Sequence, residues 1–531
     1  MKSAMIIPLM LYVLITGCDL QKKDVTGEVT PRNYSINKTN AYNNLFLDSM
    51  AVEKFITGQH LNDTIASAMR SFYNARNFQF TWFAGNGLTE QALGFRSLYD
   101  YSKDSSDKNK ALENRLDALM IEDSLVVAAT DPVFIKTELQ LTQRLINYFI
   151  ATYQDKNIRI RQLEQLIPIQ KTTVLQLADS VLANNNRDTK RYDAAHTAYH
   201  LMKQQLQQYR EIAGKGGWDS LLLTSKKFKK GDQDPIIAHF KKRLSVTGEL
   251  KDQDTSGTFN EPLENAVKTF QQQHGYTSDG VITPALAAEM NVPVLARIQQ
   301  LLINMERMRW MPDQPAGKLI LVNIPEFMLH AAEGNNKAFD MEVVVGKEGH
   351  STTMFSGKLN QIVFSPNWNI PASIVRKEIL PAIDRNKNYL QQNNMEVTGE
   401  RNGLPVIRQL PGRKNALGKV KFLFPNSFNI YFHDTPAKGL FNKDNRAYSH
   451  GCIRLADPVK MASWLLEDNT RWTAEKIDSA INLTKEKYVK LEHPVPVLIT
   501  YYTAWVDEKD MLQFRKDIYG HDSKLAARMF Y

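Results

Sequence analysis

The hydrophobic pattern of this chain changes period near Lys318, and nothing else in the sequence constrains the fold as strongly. Upstream, apolar residues recur every three or four positions. In HTAYHLMKQQLQQYREIAG, residues Ala198, Leu201, Met202, Leu206, Tyr209 and Ala213 fall along one helical face, and Gly214 is a natural stop. DPVFIKTELQLTQRLINYFIATYQ repeats the pattern with Pro132 near its start. Downstream, KLILVNIPEFMLHAAEGNNKAFDMEVVVGK alternates with period two: Leu319, Leu321 and Asn323, then Met341, Val343 and Val345, with EGNN as a turn. GKLNQIVFSPNWNIP, KFLFPNSFNIYFHD and VPVLITYYTAWVD read as further strands, and PASIVRKEILPAI and PVKMASWLLED as helices between them. A chain of 531 residues is also too long for one core. The expectation is an α+β multidomain protein: a mostly helical unit at 41–225, a three-helix unit at 226–292, a linker helix at 293–317, and a mainly β domain at 318–531, built as a sheet sandwich or partial barrel.

Composition sets the surroundings. With 43% hydrophobic and 10% aromatic residues the chain is of the folded, globular kind. A net charge of +9 permits an acidic partner without requiring one. No Arg- or Lys-rich nucleic-acid motif accompanies it, so no nucleic acid is expected as a partner. MKSAMIIPLMLYVLITGCDL has one Lys, an apolar run and a small-residue end, the layout of a secretory signal over residues 1–18. Ile15-Thr16-Gly17-Cys18 resembles a bacterial lipobox. That resemblance implies lipidation of Cys18 and an exported lipoprotein held to a membrane, facing the periplasm. A plain signal peptide or an uncleaved anchor is the alternative. Polar residues 19–40 read as a tether. The only other cysteine is Cys452, so with Cys18 lipidated it has no disulfide partner.

His196 and His200 stand four apart on a helix, half of a metal site with no third ligand at a known spacing, and read as surface residues. In residues 226–292, FKKGDQDPIIAHFKKRLSVTGEL carries an amphipathic helix with Ile236, Ile237, Phe240 and Leu244. Leu263, Ala266, Val267 and Phe270 form a second stripe. Thr283 and Pro284 cap a third helix. The composite KKGD…AVKTFQQQHGYTSDGVITPALAAEM resembles a three-helix peptidoglycan-binding domain, which implies affinity for the cell wall. VLARIQQLLINMERMRWMP then reads as a linker helix whose polar-basic face suits a spacer.

A cysteine nucleophile needs a base, a group to orient that base, donors for an oxyanion, and access. His433 ends the strand FNIYFHD, 19 residues before Cys452. Gly451 permits a tight turn. His450 and Arg454 flank the thiol and share its face if the segment is extended. Composition alone leaves a buried inert thiol and a zinc site of His433, His450 and Cys452 as alternatives.

HDTP followed by YSHGCIRL resembles the L,D-transpeptidase catalytic domain, and VVVGK, FSPNWNIPASIVRKEILP and NALGKVKFLFPN extend the likeness. So does the order of helical scaffold, peptidoglycan-binding unit and catalytic domain, as in the large Gram-negative members. The resemblance implies that Cys452 is the nucleophile and His433 the general base. It implies that the Asp434 backbone carbonyl orients the imidazole, and that Tyr431 and the N–H groups of Gly451 and Cys452 bind the oxyanion. Ser449, His450, Arg454 and Trp368 become substrate-side candidates; His450 and Arg454 either shape the site or meet a substrate carboxylate, and Trp368 lines a groove or belongs to the core. The implied reaction joins peptidoglycan tetrapeptide stems by 3→3 cross-links through a thioester, with no cofactor and no metal, and carbapenems are implied acylating agents. Residues 381–418 interrupt the β pattern as a small subdomain over the site or as a solvated insertion. Two other readings stand beside this one: an L,D-carboxypeptidase or other acyl exchange on the same stems, and a non-catalytic wall tether. A papain-type peptidase orders its cysteine before its histidine, the reverse of this chain.

Overall fold

The computed structural model describes residues 29–102, 109–121, 125–153, 163, 166–183, 197–222, 226–252, 254–312 and 315–531. The expected leader, Cys18, the first part of the tether and His196 lie outside the described residues. Among the described residues no helix is long and apolar enough to cross a membrane.

The tether, expected to run free to residue 40, is already docked from residue 30. Thr30 N–H donates to Ser71 Oγ at 3.0 Å, Asn33 N–H donates to the Asn74 carbonyl at 2.9 Å, and Ile36 is buried. The helices that follow, including Asp63–Ala75, Glu90–Ser102 and Pro132–Tyr153, enclose an aromatic-rich core. Phe95 lies at its centre, with ring centroids 5.4 Å from Trp82, 6.0 Å from Tyr148 and 6.1 Å from Trp310. Such tilted and edge contacts each add about 0.5–1.5 kcal/mol to area burial.

Helices Ile236–Thr247, Glu261–Gln273 and Pro284–Met290 form the three-helix unit. Thr283 caps the last of them, accepting from Leu286 N–H at 3.2 Å ahead of Pro284. Ile237, Phe240, Leu244, Leu263, Val267 and Phe270 share its core.

The linker helix Val294–Met308 is not a solvated spacer. Every residue from Leu301 to Met308 is buried. Its polar residues are matched by partners distant in sequence. Arg307 pairs with Glu90 of the helical unit and, at 2.6 Å, with Asp522 near the C-terminus. Asn304 Nδ2 donates to Thr503 Oγ1 at 2.7 Å. The tail contributes the hairpin Ala504–Val506/Leu512–Phe514 and the helix His521–Met529. It leaves the barrel and packs on this helix together with Met202 and Leu206.

The β domain is a closed barrel. Its strands are β1 (Lys318–Asn323), β2 (Met328–Glu333), β3 (Asn336–Gly346), β4 (Phe355–Phe364), β5 (Val420–Leu423), β6 (Phe432–His433), β7 (Ala447–Ser449), β8 (Ile453–Leu455) and β9 (Lys487–Thr500). The order is β7-β3-β8-β6-β5-β4-β9-β1-β2, and the long β3 closes the ring because its first half pairs with β2 and its second half with β8 and β7. Val343, Val345, Phe422, Phe432, Ile453 and Leu455 belong to the barrel's core. Alternation therefore turns Lys421, Tyr431, His433, Cys452 and Arg454 to the other face.

The insertion begins earlier than its polar composition announced. Strand Trp368–Asn369 pairs with Leu404–Gln409, which pairs with Met395–Arg401, and a helical stretch from Ala372 to Arg385 packs on them. Ile370, Val375, Ile379 and Ile407 give this module a core of its own.

Candidate active site

The 19-residue gap between His433 and Cys452 is a demand of topology. β6 and β8 are parallel neighbours, with Phe432 opposite Ile453 and His433 opposite Arg454. Parallel neighbours need a crossover of a dozen or more residues. Here it is the loop with the 3-10 turn Lys438–Asn442 and strand β7. The register sets Tyr431 beside Cys452, and Ile453 N–H donates to the Tyr431 carbonyl at 3.2 Å. On its other side β6 pairs antiparallel with β5, placing Lys421 opposite His433.

The imidazole is held by one backbone group. His433 Nδ1 donates to the Asp434 carbonyl at 2.5 Å, which leaves the Nε2 lone pair free to accept a proton. The Asp434 carboxylate has other work: it accepts from Lys419 N–H at 2.8 Å and pairs with Lys438 at 2.7 Å. It lies against Gly418, whose φ is +61° and where a Cβ would stand 2.3 Å from Asp434 Oδ2. Burial, and after it the charge of Arg454, pushes the His433 pKa down to about 3, so the ring is neutral near pH 7.

Cys452 is half-buried, and its Sγ–H donates to the Asn429 carbonyl at 3.5 Å rather than to the imidazole. Burial raises the thiol pKa, while the N–H and hydroxyl of Tyr431, then Lys421 and Arg454, act in the opposite sense. The resting pair is thus a neutral thiol beside a neutral base, and contacts of this kind tighten when substrate arrives. Among the described residues neither Lys421 Nζ nor the Arg454 guanidinium makes a hydrogen bond or ion pair. Arg454 Nε is buried without a partner, and Lys421 Nζ lies 4.6 Å over the Tyr431 ring. Lys421 went unremarked in the sequence. Its signal was an outward-facing lysine between Val420 and Phe422, and only the strand register sets it opposite His433.

The cysteine turn departs from the extended segment expected. Gly451 adopts φ +109°, a left-handed conformation suited to glycine. Its N–H, expected as an oxyanion donor, instead donates to Ser449 Oγ at 3.1 Å. Ser449, expected on the substrate side, is buried, and its hydroxyl donates to the Cys452 carbonyl at 2.5 Å. Thr352 braces the turn from beneath, donating to the Gly451 carbonyl at 2.8 Å and accepting from Gly346 N–H at 2.9 Å. Of the proposed donors, Tyr431 OH points at the Cys452 thiol itself, and among the described residues Cys452 N–H makes no hydrogen bond.

The turn also rotates His450 away from Cys452. Its ring lies 5.0 Å from that of His350, and its Nε2 is 3.4 Å from Glu378 on the inserted module. His433, His450 and Cys452 therefore do not converge. Among the described residues no group of three or more His, Cys, Asp or Glu side chains is placed to hold a metal ion. Trp368 is partly exposed and packs on the module's own core.

Residues 317–478 match the L,D-transpeptidase catalytic domain, residues 67–206 a scaffold domain, and residues 233–290 a family described as "Putative peptidoglycan binding domain". A protein of Haemophilus influenzae named "Putative L,D-transpeptidase" is 32% identical over 243 residues, covering 43% of this chain and 49% of that protein. The chain thus spans about half the length of the curated relative it matches. Among solved structures, the L,D-transpeptidase of Stackebrandtia nassauensis is 13% identical with a TM-score of 0.21, covering 52% of this chain and 96% of that one. That of Xylanimonas cellulosilytica is 13% identical with a TM-score of 0.17, covering 52% and 98%. Likenesses that slight do not place the fold. The matched sequence bears on the domains: residues 317–478 are similar to the L,D-transpeptidase catalytic domain, and they follow stretches similar to scaffold and peptidoglycan-binding domains.

Proposed function

We propose that the protein is a cysteine acyltransferase that forms 3→3 cross-links between peptidoglycan tetrapeptide stems. The observation that carries this reading is the parallel register of Tyr431–His433 with Cys452–Arg454, which gathers thiol, base, hydroxyl and cation on one face. His433 Nε2 takes the thiol proton as Sγ bonds to the carbonyl carbon of the third stem residue. The oxyanion that forms accepts from Cys452 N–H and Tyr431 OH. Collapse breaks the bond to the terminal D-alanine, whose amine leaves with the proton held on His433. The side-chain amine of a second stem then attacks the thioester, its proton passes to His433, and the thiol is released. The broken peptide bond supplies the energy, so no nucleotide is consumed.

Arg454 and Lys421 suit the carboxylates of the donor stem, since each is a half-buried cation with no direct ion pair among the described residues, Lys421 feeling only the more distant charge of Glu486. Lipid on Cys18 would keep the enzyme at a membrane facing the wall; mass analysis of the mature N-terminus tests that anchor.

Incubation with disaccharide-tetrapeptide, read by mass, tests the activity. A cross-linked dimer lacking one D-alanine is the expected product. A tripeptide without dimer means that water captures the thioester, making the protein an L,D-carboxypeptidase. No turnover by a well-folded protein whose Cys452 is unmodified rejects the enzymatic reading.

A further inference from the structure

A cleft of about 690 Å³ opens between the three-helix unit and the barrel, away from the thiol. One wall is the stretch Gln272–Ser278, where helix Glu261–Gln273 ends. The other comes from Phe441–Arg446, with Phe327 and Glu342 behind it. The walls are fixed relative to each other. Thr277 Oγ1 donates across the gap to Asp444 Oδ1 at 2.8 Å, and Arg515 Nη1 donates to the Gln273 carbonyl at 3.0 Å. The His274 ring stacks on Phe514 with centroids 5.4 Å apart. The cleft is preformed, as ligand sites between domains commonly are.

Its chemistry is polar, with positive charge left over. The acids have partners: Asp444 has Thr277, Glu342 lies 3.3 Å from Arg446, and Glu326 lies 3.0 Å from His330. Lys443 and Lys516 are exposed and have no acidic partner among the described residues; Lys516 Nζ sits 5.3 Å from the Tyr276 ring centroid. Arg446 Nε is buried with no hydrogen-bond partner. An aromatic ring, hydroxyl and amide side chains and uncompensated cations suit an acetamido sugar chain that bears carboxylates. The wall made by Phe441–Arg446 runs directly into β7 and the cysteine turn.

We propose that this interdomain cleft grips a carboxylate-bearing glycan strand of the wall, held jointly by the three-helix unit and the barrel. The inference deepens the reading above and rests on it for what the strand is delivered to. The three-helix unit then contributes one wall of a shared site, so that binding the strand and presenting its stems to Cys452 are geometrically linked.

Full-chain Cys452→Ala protein pelleted with insoluble peptidoglycan tests this. Loss of two charge-assisted contacts in the double variant Lys443→Glu/Lys516→Glu is expected to weaken binding at least about tenfold. Both side chains are exposed, and an unchanged melting curve shows that the fold is intact. Unchanged pelleting by the folded variant overturns the proposal. In competition, soluble disaccharide-tetrapeptide is expected to release the protein and uncharged N-acetylglucosamine oligomers are not; equal release by the two also overturns it, because carboxylates would then play no part. Acylation of Cys452 in unmutated protein is read separately by mass. Its failure rejects the transpeptidase reading and leaves the pelleting result to be judged alone.

Discussion

His433 and Arg454 stand side by side in the parallel pairing of β6 with β8, and burial together with this neighbouring guanidinium keeps the imidazole neutral. The arrangement separates the site from one built on a resting thiolate–imidazolium pair. In the proposed reaction the neutral base takes up the thiol proton only as the substrate carbonyl is attacked, and Arg454 and Lys421 would stabilise the negative charge that develops.

One consequence is a pH dependence of stability. The His433 pKa is about 3 in the folded chain, against about 6.5 for an unperturbed histidine. Between those values the unfolded chain binds the extra proton, so this group makes stability fall as pH drops from about 6.5 toward 3. His433→Gln is expected to flatten that part of the curve. Denaturant midpoints measured across the window check it; an unaltered slope contradicts it.

The orienting group is a backbone carbonyl, so the Asp434 carboxylate is dispensable for the imidazole. Asp434→Asn keeps an acceptor for Lys419 N–H and loses only the ion pair with Lys438. Its kcat is expected to fall less than about tenfold, whereas removing the carboxylate of a side-chain triad costs about 10⁴-fold. A loss of that larger size would show that the side chain takes part.

Lys421 opposite His433 is expected to help ionise the thiol. Lys421→Met keeps most of the side-chain volume and removes the charge. The pH midpoint for alkylation of Cys452 by iodoacetamide should move upward, and acylation near pH 7 should slow roughly tenfold. An unmoved midpoint would reduce Lys421 to a packing residue over Tyr431.

The linker helix is expected to hold the domains together through one side chain. Arg307→Met leaves the partly buried Glu90 and Asp522 without their cation, a loss that costs up to about 3–5 kcal/mol when the pair is fully buried. The denaturant midpoint should fall accordingly. If it does not, the three groups contribute little to the coupling of scaffold, helix and tail.

The α+β class followed from a change of period at Lys318, because helix and strand repeats differ physically. His433 was legible as the end of the strand FNIYFHD, 19 residues before the thiol, whereas the short strand Ala447–Ser449 ahead of Cys452 was not. Other features were out of reach for one reason: their partners lie far along the chain. Arg307 looked like a spacer residue until Glu90 and Asp522 met it from opposite directions. The Gly451 N–H looked available until Ser449 turned back to accept it. The inserted module looked polar because its core draws on Ile370 and Val375, ahead of the polar run, and on Ile407 within it.

By itself the sequence determined which segments are helices and strands, and which residue types could perform acyl transfer, because periodicity and side-chain chemistry are local properties. Only the tertiary structure decided which of those side chains share a face, which donors are already spent, and which charges lack a partner. Hydrogen bonds and ion pairs are settled by register and closure between distant segments, and a linear pattern carries no measure of either.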